Sequence, residues 1–293
     1  VSTRSLERAH RRARERGVLA PLYSVVRFLV AGVLRVWFRV RISGAEHIPD
    51  AGAAIVAPNH KSFLDAFFVA IATRRTVRFM VKSELLRGPL GWLFLRLGAF
   101  PVRRGEADAE AMQTARLILE QGGLLVVFPE GTRVEDAHAL GAPHHGAGRL
   151  ALQTGAPLIP AAIAGTQRLW LGPIPKPRRV QLAFLPAIDP KQFSDQSNAL
   201  GALVDSGLWP AVQREYRREL ARPGLILAAL AAIGLGSGLL ARRRASADTR
   251  VIGVAEPLKL RRRNARRQLL ERVQRRWRQL LAAAATLGAS ACQ

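Results

Sequence analysis

Cysteine is almost missing from this chain. Its single copy, Cys292, lies next to the C-terminus, so no internal disulfide can form and no cysteine cluster can hold zinc. Acidic residues are scarce too: 45 Lys and Arg face 21 Asp and Glu, for a net charge of +24. Such an excess points to an anionic partner, whether nucleic acid, an anionic membrane or a phosphorylated substrate. A base-composition bias in the genome would supply part of the same arginine and alanine richness. No internal repeat is visible, and no small-residue cleavage pattern follows the first apolar segment, so no secretory leader is expected. What is present in quantity is apolar: 49% of the 293 residues. That excludes global disorder and suffices for one large α/β domain with appendages, or for two small ones.

Charge divides the chain into three parts. Residues 1–45 carry about +8, residues 46–222 about +5 and residues 242–293 about +11, counted by sign. The least biased part, 46–222, is the expected folded domain. Residues 1–45 form a basic, membrane-associating helical segment, and 223–293 a C-terminal extension.

Within 1–45, "LAPLYSVVRFLVAGVLRVWFRV" (19–40) predicts a helix entered through Pro21. Ser24, Arg27, Arg35 and Arg39 fall within roughly 120° of arc, leaving a wide apolar face. An interfacial helix with guanidinium groups among headgroups fits this pattern, as does a helix that covers the domain core. From residue 40 onward, short apolar runs alternate with helical stretches. "AAIVAP" (53–58), "LLVVF" (124–128) and "LIPAAIA" (158–164) read as strands buried on both faces. Residues 109–123 and 146–156 read as helices. The alternation implies an α/β fold with a mostly parallel or mixed sheet flanked by helices.

In open α/β sheets, ligands bind beyond the carboxyl ends of the strands. Each of the three runs leads there into polar, turn-forming residues: Asn59–His60, Pro129–Glu130–Gly131–Thr132–Arg133, and Gly165–Thr166. Ser62 and Asp65 form an S-x-x-D pattern that can start a helix. Asp65 can also reach back to His60, where a carboxylate on one ring nitrogen leaves the other free to take a proton. In "FPEGTR", Gly131 permits close backbone approach, while Thr132 and Arg133 offer donors to an anion.

"NHKSFLD" (59–65) followed by "FPEGTR" (128–133) resembles the two main motifs of the glycerolipid acyltransferase family. "KSELLRGPLGWLFLRLGAFPVRRG" (82–105) resembles the intermediate motif, and "APLIPAAIAGT" (156–166) the fourth. The likeness covers roughly residues 40–190. It implies transfer of a fatty acyl group from acyl-CoA or acyl-carrier protein to a lipid hydroxyl, with His60 as general base and Asp65 orienting its ring. The acceptor's phosphate would meet Arg133 and Arg104, with Arg103 and Lys82 next, while Glu130 would contact the acceptor or brace the loop. The resemblance implies 1-acylglycerol 3-phosphate as acceptor and phosphatidate as product, in phospholipid biosynthesis. Glycerol 3-phosphate, another lysophospholipid or a lyso-amino-acid lipid are alternatives. No metal site and no cofactor beyond the acyl thioester are expected. The family's usual lysine before the glycine that opens the helix after "FPEGTR" is replaced here by His144 and His145, and its usual serine by Val134.

The extension holds "GLILAALAAIGLGSGLL" (224–240) within an apolar segment 224–241, then a face of Leu269, Leu270, Val273, Trp277, Leu280 and Leu281 among arginines. Seventeen residues make a helix of about 26 Å, short of the roughly 30 Å hydrocarbon core. A half-span or interfacial segment fits that length, as does pairing with a span at 19–40. The basic helix suits an anionic membrane surface, or nucleic acid as its rival. Together these features predict a membrane-associated enzyme at the cytoplasmic face. A non-catalytic membrane or nucleic-acid binder is the reading of a different class.

Overall fold

The computed structural model describes residues 3–103, 108–171 and 174–221. Arg104 and the whole C-terminal extension expected at 223–293 lie outside the described residues. Seven strands build the main sheet: β1 (Arg41–Ser43), β2 (Ala54–Pro58), β3 (Val77–Lys82), β4 (Ala99–Val102), β5 (Leu124–Val126), β6 (Leu158–Ala164) and β9 (Gln181–Phe184). A separate two-stranded ribbon joins β7 (Trp170–Leu171) to β8 (Ile174–Pro175). The main order is β1–β9–β6–β2–β5–β3–β4. The strands from β6 to β4 run parallel to one another, and β9 with β1 runs opposite. The sheet is therefore mixed, with a parallel centre.

The central strands are near-continuous apolar runs because both of their faces are covered. Every residue of β2, β5 and β6 is buried. Side chains alternate between two cores, as a strand's period of two requires. Ala54 and Val56 of β2 join one cluster with Phe38, Phe68 and Val69, whereas Ile55 and Ala57 join the other with Ile118, Leu150 and Val212. The first core lies under α2 (Ala20–Phe38) and α3 (Asp65–Ala72), and the second under α5 (Ala109–Glu120), α6 (Gly146–Thr154) and the helical stretch 199–221. Local signals set the helix ends. Asp108 accepts from the Ala111 amide at the start of α5, and Gly155 closes α6 at φ 69°, the left-handed conformation that glycine adopts freely.

The N-terminal helix α1 (Thr3–Glu15) is tied to the domain rather than free. His10 Nδ1 lies 2.9 Å from Thr114 Oγ1 of α5, and the buried Arg78 of β3 donates to the carbonyls of Ala13 and Gly98. Burial lowers the Arg78 pKa to about 10.

Helix α2 is oriented against the usual rule. Arg27 donates to the Thr73 carbonyl at 2.8 Å and Arg35 to the Ile71 carbonyl at 3.3 Å, satisfying the last carbonyls of α3. Two of the arginines expected among headgroups thus turn toward the protein. The outward face carries Val25, Phe28, Leu29, Val33 and Val36, with Phe28 79% and Val36 83% exposed. Leu90 and Trp92 of α4 (Gly88–Arg96) are also exposed. A water-facing helix would show the reverse pattern.

Candidate active site

The three apolar runs are neighbours in the sheet. Val56 of β2 pairs with Val126 of β5 on one side and with Ile159 of β6 on the other, all in parallel. Their carboxyl ends therefore open onto one edge, and the polar turns that follow meet there. Asn59, buried at the end of β2, donates to the Ile163 carbonyl at 3.0 Å and accepts from its amide at 2.7 Å. That two-point bond to β6 fixes the chain just before His60.

His60 is almost fully buried, and its Nδ1 lies 3.1 Å from Asp65 Oδ2. The same oxygen accepts the amides of Lys61 at 2.6 Å and Ser62 at 2.7 Å. Asp65, the first residue of α3, thus holds the turn that leads into that helix and orients the histidine with one oxygen; the two roles coincide. A carboxylate can only accept, so Nδ1 carries the proton and Nε2 presents its lone pair. Nε2 makes no hydrogen bond among the described residues. The ring stacks on Phe128, with centroids 4.0 Å apart and planes at 25°, so its face as well as its edge is held.

Glu130 is buried beneath this arrangement. One carboxylate oxygen accepts the His60 amide and the other the Gly141 amide at 2.8 Å. Between the two roles read from sequence, this geometry supports the brace: both oxygens are engaged by the protein's own backbone. Burial pushes the carboxyl pKa up, against the pull of the two amides and of Lys61. Gly131 adopts φ 65°, and a Cβ there would come within 3.0 Å of the His144 ring. The His144 amide in turn donates to the Pro129 carbonyl. Thr132 and Arg133 follow on the exposed side of the turn, while the Val134 amide returns to the His60 carbonyl at 3.0 Å. His60 and the loop that carries Arg133 are thereby joined through the backbone.

The remaining candidate cations stand further along the same edge. Lys82 ends β3, two strand positions from β2, and pairs with Glu84 at 3.2 Å. Arg103 follows β4, three positions away, and its amide donates to Asp108 at 2.8 Å. At about 4.8 Å per strand these positions are roughly 10 and 14 Å from the β2 end. Arg104 is not among the described residues. His145 lies at the start of α6 with Nε2 3.0 Å from Asp205 Oδ2.

Three participants were not legible in the motifs: Phe128 as a stacking partner, Lys61 and Tyr216. Lys61 sends its ammonium to the carbonyls of Asp136, at 2.7 Å, and Ala139. Tyr216 donates its hydroxyl to the Ala137 carbonyl at 2.7 Å. A lysine in an otherwise buried turn was the available signal for the first; Tyr216, remote in sequence, offered none.

This arrangement has known relatives. Residues 39–164 match the acyltransferase family model. The chain resembles the glycerolipid acyltransferases. It is 28% identical over 137 residues to a chloroplast 1-acyl-sn-glycerol-3-phosphate acyltransferase of Arabidopsis thaliana, covering 45% of this chain and 38% of that protein. It is 32% identical over 173 residues to the 1-acyl-sn-glycerol-3-phosphate acyltransferase of Limnanthes douglasii, covering 55% of this chain and 59% of that one. These matches span less than two thirds of either plant protein. The crystal structure of the 1-acyl-sn-glycerophosphate acyltransferase from Thermotoga maritima superposes with a TM-score of 0.55 at 26% identity, over 71% of this chain and 81% of that one. The matched acyltransferase region contains the pair His60–Asp65, the Glu130 brace and the strands β2, β5 and β6 that position them.

Proposed function

We propose that the chain transfers a fatty acyl group from an acyl thioester to the free hydroxyl of 1-acylglycerol 3-phosphate, giving phosphatidate. The observation that carries this reading is the buried His60–Asp65 pair. Its Nε2 makes no hydrogen bond among the described residues, and the His60 backbone is tied to the exposed turn bearing Arg133 through the Val134 amide. Nε2 takes the acceptor's hydroxyl proton as that oxygen attacks the thioester carbonyl. The tetrahedral intermediate then collapses, the C–S bond breaks, and the imidazolium returns the proton to the departing thiolate. Asp65 stabilises the imidazolium while it lasts. A thioester is already activated, so no acyl-enzyme is needed. Arg133 supplies fixed positive charge for the acceptor's phosphate.

The reaction partners are a lysophospholipid and either acyl-CoA or acyl-carrier protein. The outward apolar face of α2 supports membrane association, and α2 is long and apolar enough to cross a bilayer by length and composition alone. With Arg27 and Arg35 engaged by α3, an interfacial position lets that face enter the acyl boundary while the domain stays on the cytoplasmic side, where acyl thioesters are made. The test is a mass-spectrometric screen of the purified chain in detergent with a labelled acyl thioester. Acylation of 1-acylglycerol 3-phosphate above glycerol 3-phosphate, other lysophospholipids and lyso-amino-acid lipids is expected. Preference for another of these acceptors would move the assignment within the family. A folded chain inactive on all of them would favour a binding protein.

A further inference from the structure

Lys61 follows the catalytic histidine directly, and it is buried with it. Its backbone and side chain serve opposite sides of the site. The amide sits on Asp65 Oδ2, the oxygen that orients His60. The ammonium points away, to the carbonyls of Asp136 and Ala139, and lies 5.4 Å from the centroid of the Tyr216 ring. Tyr216, fully buried, holds the carbonyl between them, that of Ala137. Asp136 Oδ1 tightens the same turn by accepting the His138 amide.

Segment 130–141 is thus pinned at both ends through Glu130, to the His60 and Gly141 amides, and in its middle by Lys61 and Tyr216. Thr132 and Arg133 occupy the exposed part of this closed loop. An uncharged side chain at position 61 would leave the Asp136 and Ala139 carbonyls without their cation. Asp65, Glu130 and Asp136 all bear on the ammonium electrostatically, and its desolvation lowers the Lys61 pKa.

We propose that Lys61 is a positioning residue that sets the arginine loop against the catalytic base, acting on the acceptor through Arg133. The proposal rests on the acyltransferase reading above. It predicts a division of effects that a merely structural lysine would not produce. Lys61→Met raises the acceptor KM about tenfold, while the thioester KM and the kcat at saturating acceptor change little. Lys61→Arg, which keeps a donor cation, restores most of the acceptor KM. In an Arg133→Ala background, Lys61→Met adds no further rise, because residues acting through one another are non-additive.

Amide hydrogen exchange on the full chain in detergent gives a readout independent of turnover. In Lys61→Met, the amides of 134–141 exchange about tenfold faster, while those of β2 and β5 keep their wild-type rates. Equal rises in acceptor KM with and without Arg133 would overturn the proposal. So would unchanged exchange in 134–141, or faster exchange spread across the whole sheet. A wild type that acylates no phosphorylated acceptor would refute the functional reading instead, and the exchange result would then decide alone whether Lys61 sets the loop.

Discussion

Asp65 Oδ2 lies 3.1 Å from His60 Nδ1 while holding the amides of Lys61 and Ser62. One carboxylate oxygen therefore fixes a backbone turn and a ring together. This coupling makes the aspartate hard to probe by deletion, since its loss would disturb the turn before α3 as well as the His60 ring.

His60→Ala should abolish acyl transfer with the fold intact, because its ring is a lid on Phe128 rather than a centre of either core. Asp65→Asn keeps the shape but removes the charge that supports the imidazolium. Its kcat should fall by at least about a hundredfold, within the range that general base catalysis contributes. Circular dichroism and steady-state turnover check both. Near-normal turnover in His60→Ala would sink the mechanism.

Arg133→Ala should act on the acceptor alone. Loss of a charge-assisted contact costs about 1.5–3 kcal/mol, or roughly ten- to a hundredfold in KM for a phosphorylated acceptor. The KM for the thioester should stay near its wild-type value. Should the thioester constant move instead, the arginine serves the donor side and the acceptor site is misplaced.

The parallel centre of the sheet was readable because its signal is local. "AIVAP", "LLV" and "LIPAAIA" are short apolar runs that need burial on both faces, and each ends in turn-forming residues. Strand β4 lay inside the stretch read for its motif, β3 ended where that stretch begins, and the short β1 and β9 carried too few residues to show a period. The site was legible as far as His60, Asp65 and the turn after β5, whose spacing encodes their meeting. Tyr216 reaches that turn only through the packing of 199–221, and no local pattern announces it. Helix α2 shows the limit most clearly. Periodicity gave its apolar face, but only the carbonyls at the end of α3 determine that Arg27 and Arg35 turn inward.

That orientation has a measurable consequence. Phe28→Glu with Val36→Glu places two charges on the outward face of α2, where both native side chains are more than three-quarters exposed. Flotation with anionic vesicles should show binding weakened at least about tenfold, since burying such a side chain in an apolar phase is worth about 1.5–3 kcal/mol. The unfolding midpoint should not change. Unaltered vesicle binding would remove α2 from the membrane contact.

Glu130 sets two favourable bonds against burial, and their balance can be read from pH. Its carboxyl pKa is raised in the folded chain, with desolvation the largest cause and the Gly141 and His60 amides opposing it. The folded state therefore binds this proton more readily than the unfolded one, and the group's contribution to stability is greatest below the ordinary carboxylate pKa. It falls as pH rises from that value through the raised one. Glu130→Gln matches the protonated acid in shape and cannot ionise, so it lacks this slope. The stability of the native chain relative to Glu130→Gln should accordingly decline as pH rises above the ordinary carboxylate pKa, measured by chemical unfolding at fixed ionic strength. Subtracting the variant cancels the other titrating groups that both proteins share. If the difference instead grows with pH, the two amide bonds outweigh the cost of burying the charge, and Glu130 braces His60 most strongly as an anion.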